Sequence, residues 1–338
     1  MAIRVLHVVP LAASGGTSGY TQRQIDELDS AGVVSRQVLF SGTQILKTPF
    51  FIIKSLKSIS HEIQVFKPHI VHAHWGSLLA LVTTIAARSG PPVIITFHGS
   101  DLNPVPSEHT LLSLIRQACS QLAALSASAV ICVSDNLRKR LWHNKNFFKV
   151  IPCGTDLTRF RPLDQEKCRK KLNWDLTENV VFFHEGDRPK VKRRDLADQC
   201  INEVKKKIPS VRLEILGSHI PNKNVPTILN ASDCLLMTSD FEGSPNIVRE
   251  ALACSLPVVS VDVGDVRYWS RKFKSIHLAE RDPKKIAKKI LACFKNSKRL
   301  KADKNKLNSF STKTTLNKYL SLYKTVLNKK YCDCSYPT

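Results

Sequence analysis

The 338-residue sequence has no run of about 20 predominantly apolar residues, the length that a membrane-crossing helix needs. The uncharged stretch Gln117 to Ser134 is rich in Gln and Ser and reads as a helix end, a turn and a strand. An export leader is not expected either. The apolar run after Met1 is short and broken by His7 and Pro10, so residues Ile3–Val9 read as a first strand entering a glycine loop up to Gly16. A cytoplasmic chain is expected. Repeats of solenoid period are absent, and so are zinc-finger spacing and basic motifs interleaved with aromatics. Acidic residues are scarce: 28 against 51 basic, a formal charge of +23.

That charge is uneven. Residues 1–158 hold 14 basic and 8 acidic side chains, and the remainder holds 37 and 20. Such a field attracts polyanions, whether nucleic acid, an anionic membrane surface or phosphorylated substrates. The lack of nucleic-acid motifs turns the expectation away from the first of these. Ten cysteines without a leader, several inside apolar segments (Cys132, Cys234, Cys254), read as buried free thiols. Cys332 and Cys334 have no partner pair at metal spacing.

Short apolar strands alternate with helical patterns along the whole chain. Strands are predicted at Ile3–Val9, Ser35–Phe40, Ile70–Ala73, Pro92–Phe97, Ala129–Val133 and Lys149–Ile151. A second series follows at Val180–Phe183, Arg212–Leu216, Cys234–Met237, Pro257–Val261 and near Ser275–Leu278. Helical spacing fills the gaps, as in Leu78–Arg88, Leu111–Leu125, Leu196–Lys207 and Asn246–Ala253. This alternation implies an α/β protein with parallel sheets covered on both faces, and two series imply two Rossmann-like domains. The predicted domains are 1–158 and 159–310, divided near the Pro- and Gly-punctuated segment around Thr155–Leu163. A helix at 311–330 is free to pack on the first domain.

Several segments carry groups suited to chemistry. Ser14-Gly15-Gly16-Thr17-Ser18-Gly19 follows the first strand, where glycines let backbone N–H groups approach a phosphate. Ser14 stands where the dinucleotide fingerprint requires glycine, and the second strand ends Leu39-Phe40-Ser41 without an acid, so NAD is disfavoured. His72 and His74 share one strand face at a spacing a metal could use. No further ligand set accompanies them, and no metal or cofactor is expected. His98-Gly99-Ser100-Asp101 falls beyond the carboxyl end of a buried strand, where open α/β sheets bind ligands.

The most informative stretch is Asp240-Phe241-Glu242-Gly243-Ser244-Pro245-Asn246-Ile247-Val248-Arg249-Glu250. A helix is predicted to start there with Pro245 in its first turn, leaving N–H groups exposed to an anion between two carboxylates. The basic run Arg188-Pro189-Lys190-Val191-Lys192-Arg193-Arg194, beyond the first strand of the second series, could neutralise a diphosphate. A solvated basic loop is the plain alternative. Phe50 to Phe66 has Ile52, Ile53, Leu56, Ile59, Ile63 and Phe66 at helical spacing beside Lys47, Lys54, Lys57 and Lys67. It reads either as a helix in an anionic membrane interface or as a core-facing helix with lysines in water.

Together these motifs resemble the group-1, family 4 retaining glycosyltransferases of GT-B fold. The resemblance runs through Gly15-Gly16, Ile70 to His74, His98 to Asp101, Val130 to Ser134, and Ile151-Pro152-Cys153-Gly154-Thr155-Asp156. Its most specific element is Glu242, seven residues, then Glu250, continued by Ala251-Leu252-Ala253-Cys254. The family's fold places two Rossmann-like domains across a cleft. By resemblance, Glu242 and His98 are catalytic and face the transferred sugar, and Glu250 holds the donor ribose. Gly15, Gly16, Arg188, Lys192, Gly243, Ser244, Pro245 and Asn246 contact the donor phosphates, and Asp101 lies on the acceptor side. The same resemblance implies metal-independent, front-side transfer with retention, a UDP-sugar donor, and a glycan or lipid-linked glycan acceptor in surface polysaccharide or glycoconjugate synthesis. With the charge, it implies peripheral attachment to the inner face of an anionic membrane. One departure stands out: the glycine usual after the first strand of the second domain is displaced in Phe183-His184-Glu185-Gly186-Asp187, which leaves Arg188, Lys190 and Lys192 interchangeable in register. Rival expectations are the same fold acting on a small soluble acceptor, a nucleic-acid-binding protein using the basic half, and an epimerase or phosphorylase.

Overall fold

A computed structural model describes residues 2–11, 19–40, 49–104, 110–142, 148–186, 189–217, 222–295, 299 and 302–333. The chain forms two compact units, one of residues 1–154 with 312–338, the other of residues 155–311.

The first unit runs β1 (Arg4–Pro10), α1 (Gly19–Ser30), β2 (Val34–Phe40), α2 (Pro49–Phe66), β3 (Ile70–His74) and α3 (Ser77–Ala86). It continues with β4 (Val93–Phe97), α4 (Thr110–Ser126), β5 (Ala129–Cys132), α5 (Asp135–Arg138) and β6 (Phe148–Val150). These strands form one sheet in the order β2-β1-β3-β4-β5-β6, parallel throughout. β3 and β4 are buried at every position, as strands covered on both faces must be. Side chains alternate between faces with period two. Leu6, Val8, Val71, Ala73, Ile95 and Phe97 therefore join one core with Ile59, Leu79 and Ala123 from the helices. Val5, Ile70, Ile94 and Ile131 join the other, with Leu28 of α1.

The second unit runs α6 (Gln165–Leu172), β7 (Val180–Gly186), α7 (Pro189–Lys192), α8 (Arg194–Lys205), β8 (Arg212–Gly217), α9 (Val225–Ala231) and β9 (Cys234–Met237). α10 (Asn246–Ala253), β10 (Val258–Ser260), α11 (Val266–Lys272), β11 (Ile276–Leu278), α12 (Pro283–Lys295) and α13 (Lys304–Asn308) complete it. Its parallel sheet has the order β11-β10-β9-β7-β8. β7 runs three residues past its predicted end, with a register shift between His184 and Gly186, and Gly186 adopts φ 57°. That shift is the backbone counterpart of the displaced glycine.

α14 (Thr312–Asp333) belongs to the first unit, where Tyr319, Leu322, Tyr323 and Val326 close the face of the sheet opposite α2, α3 and α4. The apolar stripe of α2 faces the core: Ile59 is fully buried, and Ile52, Leu56, Ile63 and Phe66 pack against the same cluster. Only Ile53 of the predicted stripe is exposed, at 52%. The core-facing alternative thus describes α2. No helix among the described residues is long and apolar enough to cross a membrane.

Candidate active site

In each unit the polar groups gather in the loops beyond the carboxyl ends of the strands, the ligand-binding edge of open α/β sheets. The first unit builds its site from the ends of β3 and β4. Asp101 is 2% exposed. Its carboxylate accepts the N–H groups of Gly99 (2.8 Å), His98 (2.9 Å) and Gly76 (3.1 Å), which ties the two loops together. Burial raises its pKa, and these backbone bonds oppose the rise. Asp101, the residue expected on the acceptor side, is buried and joins these two loops through its carboxylate. Gly76 is required at this junction: a Cβ there would lie 2.4 Å from Phe97 Cε1 and 2.7 Å from Ser120 Oγ.

His98 sits on this frame, its ring 4.4 Å from Trp75, 5.2 Å from Tyr20 and 6.1 Å from His74. Its Nε2 is buried and has no hydrogen-bond partner among the described residues. Burial, then the neighbouring His74, lower its pKa well below the ordinary value, so the ring is neutral at pH 7. The two histidines of β3 do share a face, with rings stacked 4.3 Å apart, and β1 adds a third imidazole, His7. The three offer ring nitrogens within 4.8 Å of one another, a donor set that could hold a metal. Hydrogen bonds already engage most of these nitrogens: His72 with Tyr323 (2.7 Å) and Thr96 (2.8 Å), His7 with His74 (3.1 Å) and Ser35 (3.3 Å). Burial lowers the pKa of all three, that of His74 to about 3.

The second unit builds its site from the β9–α10 loop and α7. Lys192 Nζ donates to Glu242 Oε1 at 2.6 Å, and both side chains are mostly enclosed. Lys190 is exposed on the same short helix. Arg193, at φ 55°, reaches Asp240 (3.2 Å) and Asp195 (2.8 Å). Arg281 donates to the carbonyls of Thr238 (3.0 Å), Ser239 (2.6 Å) and Asp240 (3.1 Å). These clamps hold the loop against α7, with Asp240 N donating to Val191 O at 2.9 Å.

Gly243, Ser244, Pro245 and Asn246 lead into α10, and Glu250 follows one turn into it, half-buried. Pro245 is not in the first turn but precedes it in extended backbone (φ −68°, ψ 114°), because helical hydrogen bonding begins at Asn246. The structure thus unites Lys192, Glu242 and the 243–246 loop in one unit, while His98 and Asp101 belong to the other. Gly15, Gly16 and Arg188 lie outside the described residues. Arg193, Asp240 and Arg249 stand inside the quoted sequence segments with no role of their own, and Arg281 and Asp265 lie outside them. A legible signal existed for Arg249 alone: a charge within the apolar run Ile247, Val248, Ala251, Leu252.

Residues 7–159 match the profile described as Glycosyltransferase Family 4, and residues 167–296 match Glycosyl transferases group 1. The chain belongs to this family of group-1, family 4 glycosyltransferases. It is similar to TuaC of Bacillus subtilis (strain 168), a glycosyltransferase named for teichuronic acid biosynthesis, with 26% identity over 66% of this chain and 60% of the relative. It is also similar to the UDP-Gal:alpha-D-GlcNAc-diphosphoundecaprenol alpha-1,3-galactosyltransferase of Escherichia coli, with 25% identity over 61% of each chain. The matches thus span about 60% of these relatives' length. Among solved structures, Anabaena Alr3699/HepE, crystallised with UDP, shares the fold at a TM-score of 0.68 and 16% identity, covering 96% of this chain and 100% of that one.

Proposed function

We propose that this protein transfers a sugar from a nucleotide-sugar, a UDP-sugar by preference, to a glycan or lipid-linked glycan acceptor in surface polysaccharide synthesis, with retention and without a metal. The observation that carries this is the Lys192–Glu242 pair, 2.6 Å apart at the head of the loop that opens α10. A donor diphosphate takes Lys192 and the N–H groups of the loop, and Glu242 is released to accept sugar hydroxyl protons. Glu250 holds the ribose, and neutral His98 meets the sugar. The departing phosphate receives the acceptor proton. In support, HepE was crystallised with UDP, and the E. coli relative is named for a UDP-sugar donor and a diphosphoundecaprenol acceptor.

For attachment to a membrane the support lies in α4: Leu111 (59%), Leu112, Leu114 (58%) and Ile115 are exposed there and would contact acyl chains, while the net charge of +23 favours an anionic surface. A thermal-shift panel of UDP-, GDP- and ADP-sugars, followed by transfer assays on lipid-linked acceptors, tests the proposal. Stabilisation by none of the nucleotides would sink it. Sedimentation with anionic vesicles at low and high salt tests the membrane part separately, and no binding at low salt would reduce it to the small-acceptor version.

A further inference from the structure

The loop between Glu242 and α10 rests on a buried charge pair. Arg249, the fourth residue of α10, has no exposed side-chain surface. Its guanidinium turns back toward the start of the helix. Nη1 donates to Ser244 Oγ, and Nη2 donates to Asn246 Oδ1 (2.5 Å) and Ser244 O (3.5 Å). Ser244 Oγ donates in turn to Asp265 Oδ2 at 2.6 Å, an oxygen that also accepts the indole N–H of Trp269 at 2.9 Å and lies 3.7 Å from Arg249 Nη1. Gly264, just before Asp265, has φ +58°, and a Cβ on it would stand 3.1 Å from Glu242 Cβ and 3.2 Å from Gly243 O and Pro245 Cδ. Residues 249, 264 and 265 are therefore the floor of the 242–246 loop.

Stability alone does not explain such a pair, since well-packed apolar residues often serve a core as well or better. A planar guanidinium offers what they lack: several donors in fixed directions, here aimed at one loop. We propose that Arg249 and Asp265 are positioning residues for donor binding. They hold residues 242–246 in the shape that brings Glu242 to Lys192 and sets the N–H groups at the start of α10 around the diphosphate. The proposal rests on the donor-site assignment above and deepens it.

The test uses the full chain and the nucleoside diphosphate (UDP, GDP or ADP) that wild type binds most tightly by calorimetry. R249M lowers the melting temperature and weakens nucleotide binding by about 10-fold or more, as small displacements in a positioned site do. R249M/D265L, an apolar pair of similar bulk, recovers the melting temperature but not the affinity. Amide exchange at 242–247 stays faster than in wild type there, while β9 and β10 are unchanged. Recovery of both stability and affinity in the double variant would overturn the proposal. If that variant does not fold, D265N decides: it keeps acceptors for Ser244 and Trp269 but removes the charge, and unchanged affinity and exchange would overturn the proposal. Wild type that binds none of the three nucleotides removes the donor-site assignment and this proposal together; wild type that binds, with an unaffected double variant, removes this proposal alone.

Discussion

The two units carry similar sheets but bury polarity in different ways. In the first, the polar core is neutral: imidazoles bonded to one another and to hydroxyls, beside one carboxylate that is matched by three backbone N–H groups. In the second, opposite charges meet: Lys192 with Glu242, Arg193 and Arg281 with Asp240, Arg249 with Asp265. The difference teaches which perturbation each unit should feel. A base buried without an acid partner is stable only while uncharged, so protons threaten the first unit. In a clamp of opposite charges each enclosed charge is offset by its partner, so removal of one partner threatens the second.

The largest expected effect is acid loss of the first unit. His7, His72, His74 and His98 all have folded pKa values below the ordinary 6.5. Their stabilisation is complete above pH 6.5 and falls as pH drops toward the folded values, because the unfolded chain takes up protons that the folded chain refuses. His74, whose folded pKa is held down to about 3, can withdraw about 2 kcal/mol by pH 5, at about 1.4 kcal/mol per pH unit, and the other three act in the same direction. Hydrogen exchange at pH 7, 6 and 5 should show the first unit opening well before the second. Simultaneous opening would break the comparison.

Next comes the charge clamp. Lys192→Ala and Glu242→Ala should each reduce sugar transfer by about 10³-fold, roughly 4 kcal/mol, with circular dichroism unchanged. Turnover near wild type in either variant would remove these residues from the donor site. Asp101→Ala should cost about 3 kcal/mol, since three N–H groups lose their acceptor, and should lower the melting temperature by roughly 6–12 °C. A shift below about 1 kcal/mol would mean that the loops at β3 and β4 do not depend on it. Gly264→Ala should have the smallest effect, about 1–2 kcal/mol of strain at its positive φ, read by calorimetry. Its mark should be a larger loss in nucleotide affinity than in stability, and equal losses would sharpen the case for a purely structural floor.

Much of the architecture was legible in the residues themselves. β3 and β4 read as strands because Ile70–Ala73 and Pro92–Phe97 lack charge and are bounded by turn residues. Period two alone put His72 and His74 on one face. The start of α10 was visible within a residue or two from Gly-Ser-Pro before an apolar period. These are local properties, set by backbone sterics and side-chain spacing, and they need no knowledge of what lies opposite.

The rest depended on partners distant in the chain. Tyr323 hydrogen-bonds with His72 across 251 residues, and no spacing rule joins them. The choice of Lys192 over Lys190 as the partner of Glu242 follows from how α7 packs on the loop after β9, where Asp240 N donates to Val191 O. By resemblance Asp101 was expected on the acceptor side; only the folded loops reveal the three N–H groups that its carboxylate accepts. Local sequence determined the strands, the helices and the faces they bury, since those follow from steric and hydrophobic periodicity. Tertiary structure decided the protonation of the imidazoles and the pairing of the charges, because both depend on the dielectric and the neighbours that folding alone brings together.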